Sequence, residues 1–72
     1  MDEDLNYEYL LKKEKYLCKL HRLNSFELLK LEKTKEVELG IAENNYDSRL
    51  EMDVENQLDW IQIVIHTRAK LN

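Results

Sequence analysis

A chain of 72 residues with no proline and a single glycine, Gly40, has few places at which a helix can stop. Tight turns draw on residues that fix φ or tolerate positive φ, and this chain has almost none of the strongest of them. Leucine, glutamate and lysine, all good helix formers, are abundant instead. The expectation is an all-α fold. One break falls at Asn24, which can cap a second helix with Glu27 three residues on as the reciprocal capping-box partner and Leu23 and Leu28 as a hydrophobic staple. A kink joining the first two helices into one rod is the alternative there. Another break lies between Gly40 and Asn45, where either Gly40 or the Asn44-Asn45 pair suits a left-handed C′ position. Asn45 or Asp47 would then cap the last helix. The chain therefore reads as a single domain of three helices, over about residues 4–23, 25–43 and 46–70. The last two form a small antiparallel hairpin, and the first is an additional N-terminal helix.

The stretch Val54 to Leu71 carries more apolar surface than one helix contact requires. Val54, Leu58, Ile61 and Ile65 fall on one stripe at spacings of three and four, the pattern of a core-facing helix. Trp60, Ile63, Val64, Thr67 and Leu71 form a second set pointing elsewhere, so the segment around Trp60 is buried on two sides. A chain this short buries only about 60% of its unfolded surface. Disulfides cannot supplement the core, because Cys18 is the only cysteine. A protein partner covering the second set is the expected supplement, with Trp60 as its aromatic anchor and Gln62 as one directional hydrogen bond. Core filling by Trp60 is the competing account.

The formal charge of −4 opposes direct binding to nucleic acid or an anionic membrane. Charge is nevertheless segregated: Lys12, Lys13, Lys15, Lys19 and Arg22 cluster early, and acidic residues crowd the start of the last helix, which ends in His66, Arg68 and Lys70. Acid at a helix N-terminus and base at its C-terminus complement the macrodipole. The early cluster interleaves with Tyr9 and Tyr16, but Glu8 and Glu14 partly neutralise it, so a solvated face is expected. No run approaches the ~20 apolar residues of a membrane span, and the acidic N-terminus MDEDLNYEY is unlike a secretory signal. A reducing, cytoplasmic setting is the expectation.

Little here supports catalysis or metal binding. Cys18 and His21 share a helix face, but a closed zinc site needs four ligands and His66 is the only other imidazole. A Cys-His pair would lack an orienting third group and an oxyanion hole, so Cys18 reads as a small buried or half-buried hydrophobe. No catalytic, cofactor or metal residue is expected.

The span from Leu39 to His66, with Leu39-Gly40 before a polar turn, Tyr46, Leu50, Val54-Glu55-Asn56-Gln57 and then Trp60-Ile61-Gln62-Ile63-Val64, resembles the small needle-subunit co-chaperones of bacterial type III secretion systems. The resemblance implies a non-enzymatic cytoplasmic protein. It would pair with a tetratricopeptide-like co-chaperone, and the two would hold a needle subunit soluble before export. Met1 to Leu23 is longer than the segment that precedes the hairpin in that family. A weaker resemblance joins Asp47-Ser48-Arg49-Leu50 and Asn56-Gln57-Leu58 to the small Hha-type accessory regulators, which bind a nucleoid protein. A homodimeric or tetrameric helical bundle with no dedicated partner is the third reading, and a self-complementary patch would let the free chain dimerise in either case.

Overall fold

The computed structural model describes the backbone of residues 2–71 and side chains from Tyr7 to Leu71. Three helices follow one another: α1 (Asp2–His21), α2 (Ser25–Asn44) and α3 (Ser48–Leu71). The all-α expectation holds, and α1 and α2 are separate helices. Asn24 is extended at φ −79° and ψ 172°, its side-chain oxygen accepts from the Glu27 amide at 2.8 Å, and the Glu27 carboxylate accepts from the Asn24 amide at 3.1 Å. The capping box read from sequence is therefore complete, and it stops α1 from running into α2.

The second turn departs from expectation. Gly40 lies inside α2, which continues to Asn44. Tyr46, placed by the sequence reading at the start of the last helix, instead takes φ +55° in the turn, the only non-glycine residue with positive φ among those described. The Asp47 amide donates to the Ala42 carbonyl at 3.0 Å and the Tyr46 amide to that of Glu43 at 3.2 Å. Those two bonds form a Schellman closure with tyrosine in the position that glycine usually takes. Asp47 then caps α3, its carboxylate accepting from the Leu50 amide at 3.1 Å.

α2 and α3 form an antiparallel hairpin, and α1 lies along α3 in the same direction. The helix α3 is the shared wall, meeting α2 most extensively, then α1, while α1 and α2 scarcely touch among the described residues. Leu20 of α1 and Leu28 of α2 meet Trp60, Ile61 and Val64 of α3 in the main core, with Tyr16, Leu17, Leu23, Leu31 and Ile65 packed around it. Nearer the α2–α3 turn, Ala42, Val54 and Leu58 are also buried.

The chain uses its one glycine in a helix interior and a tyrosine in a left-handed position, the reverse of conformational preference. A Cβ at Gly40 would meet nothing within 4 Å. Gly40→Ala is therefore expected to stabilise the fold by about 0.5–1 kcal/mol. Tyr46→Gly should add about 1 kcal/mol by relieving the left-handed strain. Urea unfolding of the two variants checks both signs.

Candidate interaction surface

Trp60 is held from one side of α3 by two tyrosines of α1. Tyr9 and Tyr16 are seven residues apart, hence on one face two turns apart, and each ring centroid lies 5.7 Å from that of Trp60, at interplanar angles of 60° and 55°. Such tilted pairs contribute about 0.5–1.5 kcal/mol each beyond area burial. Trp60 is only 6% exposed as a result and Val64 2%.

This placement corrects part of the expected partner-binding set. α3 is buried on two sides, as its sequence requires, but the second side is covered by α1 and not left for another protein. Trp60 and Val64 are core residues. Ile63 and Leu71, at 49% and 81% exposure, remain on the surface with Thr67, whose hydroxyl donates to the Ile63 carbonyl at 2.7 Å. Ile63 sits in a shallow depression of α3 bordered by Asp59, His66 and Lys70. Met52, 64% exposed, continues this outward stripe three turns earlier.

Other apolar side chains stay outside the core as well. On α2, Phe26, Leu29, Val37 and Ile41 are half or more exposed and lie opposite the buried Leu28 and Ala42. Tyr7 and Leu10 do the same on α1. The signal is in the sequence, since α2 carries apolar residues on both faces of its helical wheel.

The role of Arg68 was not legible in its spacing. Its guanidinium donates to the carbonyls of Leu20 at 3.5 Å and His21 at 3.3 Å, so the end of α3 caps the end of α1. A cation there satisfies orphan carbonyls and meets the negative end of that helix. Cys18 is exposed, against the expectation of a buried or half-buried thiol. Among the described residues no group of three or more His, Cys, Asp or Glu is arranged to hold a metal ion. No described helix is long and apolar enough to cross a membrane.

The Tyr16 hydroxyl is buried and has no hydrogen-bond partner among the described residues. Burial, and secondarily the nearby Glu38 carboxylate, raises its pKa above the ordinary value of 10.0. An unpaired buried hydroxyl opposes folding, so Tyr16→Phe is expected to leave stability unchanged or raise it by up to about 1 kcal/mol near neutral pH. With the folded pKa above the unfolded one, the phenol's favourable linkage is full below about pH 10 and is lost as pH rises through the folded value. Urea midpoints measured at pH 8 and pH 11 should therefore diverge less in Tyr16→Phe than in the parent chain.

The surface assignment predicts a second contrast. Trp60→Ala should cost about 3–5 kcal/mol, a large share of a small domain's stability. Ile63→Asp should stay within about 0.5 kcal/mol of the parent. Equal losses in the two variants would show that the outward stripe belongs to the core. Comparison with protein-family models, curated proteins and solved structures finds no match to this chain, so its own residues and geometry carry the reading of its role.

Proposed function

We propose that this chain is a non-enzymatic interaction protein that docks the outward stripe of α3 against a helical partner. In the specific form suggested by its resemblance, it acts as a cytoplasmic co-chaperone beside a tetratricopeptide-like protein and keeps a secretion needle subunit monomeric. The observation that carries the reading is the surface. The chain exposes 6040 Å², whereas a folded monomer of its 8.7 kDa exposes about 4,700 Å². The excess, about 1,300 Å², is spread over the outer faces of all three helices, and the part on α3 is where the resemblance lies. The radius of gyration, 13.4 Å, is likewise larger than the ~11 Å of a compact chain this long.

Met52, Ile63 and Leu71 are widely spaced apolar contacts on the outer side of α3, three turns and then two turns apart, rather than anchors at every turn. Support for the partner class comes from the segment carrying the resemblance, which spans the end of α2, the turn and most of α3. A marginal core that is completed on binding gains stability by mass action, which suits a protein that works only in a complex.

Co-expression of the tagged chain with the tetratricopeptide-like protein and needle subunit of its host tests the reading. The expected result is a ternary complex in which the needle subunit elutes as a monomer. The double variant Ile63→Asp, Leu71→Asp should bind at least tenfold more weakly while keeping its helical circular dichroism. Absence of any complex would remove the co-chaperone role, and full affinity in the double variant would remove the α3 stripe as the docking face.

A further inference from the structure

We propose that the groove between α1 and α3 is a docking site for an acidic amphipathic helix of a partner protein. The groove is open to solvent, has a volume of about 630 Å³ and is separate from the outward α3 stripe, so either surface can fail alone. One wall is basic: Lys12, Lys15 and Lys19 stand on a single stripe of α1 at spacings of three and four, and Arg49 faces them from α3. The floor is aromatic, formed by Tyr9, Tyr16 and Trp60.

These features specify the occupant. The lysine row extends about 10 Å, two helical turns, which matches carboxylates at i, i+3 or i+4, and i+7 on a helix laid alongside. An apolar side chain on the same face would meet the partly exposed Tyr9 and the edge of Trp60. The four cations have no ion pair within 4 Å among the described residues, where the single such pair is Lys35 with Glu38. Four cations against the two carboxylates that line the groove leave it net positive. Glu8 and Asp53 also stand in the walls and interrupt the positive charge, which opposes a continuous phosphate backbone more than a helix whose discrete carboxylates can be placed against the lysines.

Trp60 is the only tryptophan, so its emission reports directly on the groove. The test titrates the full chain with two synthetic helical peptides that lack tryptophan and tyrosine and share one leucine pattern. One carries glutamate at the flanking positions and the other lysine. The acidic peptide should give a saturable emission change and bind at least tenfold more tightly than the basic one at low salt. The difference should largely vanish near 1 M salt, where the Debye length is about 3 Å. The variant K12E/K15E/K19E, changed only at exposed positions, should invert the preference, and the Lys→Gln triple variant should abolish it. Equal affinity for both peptides, or an unchanged preference in both variants, overturns the proposal. Displacement of the acidic peptide by a lower concentration of single-stranded oligonucleotide would overturn it in favour of nucleic acid. A dimer that light scattering shows to dissociate in the charge-reversed variant would assign the groove to a second copy of the chain.

Discussion

Burial of α3 on two faces holds this chain together, because α1 and α2 have little contact with each other and each depends on α3 for its core. The arrangement follows from the width of the apolar arc on α3. Val54, Leu58 and Ile65 lie towards one edge, Trp60 towards the other, and Ile61 and Val64 between them. One neighbouring helix cannot cover an arc that wide. α1 covers the Trp60 edge with two tyrosines set two turns apart, and Arg68 fixes the ends of the two helices by capping α1 across 47 to 48 residues of sequence.

The same economy leaves the molecule open. With α3 serving as the only shared wall, the outer faces of α1 and α2 have no second layer, and Phe26, Val37, Ile41 and Tyr7 stay in water. The extents of 39 × 32 × 17 Å describe a slab, its thin dimension less than the width of two helices with side chains. A slab exposes more surface per residue than a sphere, which is why a partner would add so much to it. Two local features lower stability: Tyr46 is held at positive φ while 92% exposed, and Gly40 lies near the end of α2, where alanine would fit. Neither feature is what stability alone would select.

The local devices were the most legible in the sequence. Asn24 and Glu27 satisfy each other's backbone within one turn, so residue type and spacing suffice to find them. The α2–α3 turn was harder because three candidates, Gly40, Asn44 and Asn45, competed within six residues. The structure put none of them in the left-handed position and used Tyr46. Packing of Ala42 and Val54 near the turn outweighs a local preference of about 1 kcal/mol. The candidate site was half legible. Spacing showed that Trp60 and Val64 face away from Val54 and Leu58, but not that α1 supplies what they face.

The sequence by itself determined the all-α class and the width of the apolar arc on α3, and it marked Asn24 as either a break or a kink, since each depends on propensity, capping or periodicity within a few turns of chain. Only the tertiary structure decided which side chains remain outside. Whether α1 or a second protein covers Trp60 depends on the approach angle of a helix about 50 residues away. The pairing of Tyr9 and Tyr16 around Trp60, the capping of α1 by Arg68 and the basic groove beside them all follow from that angle. No periodicity encodes it, because it is set by how two particular surfaces interlock.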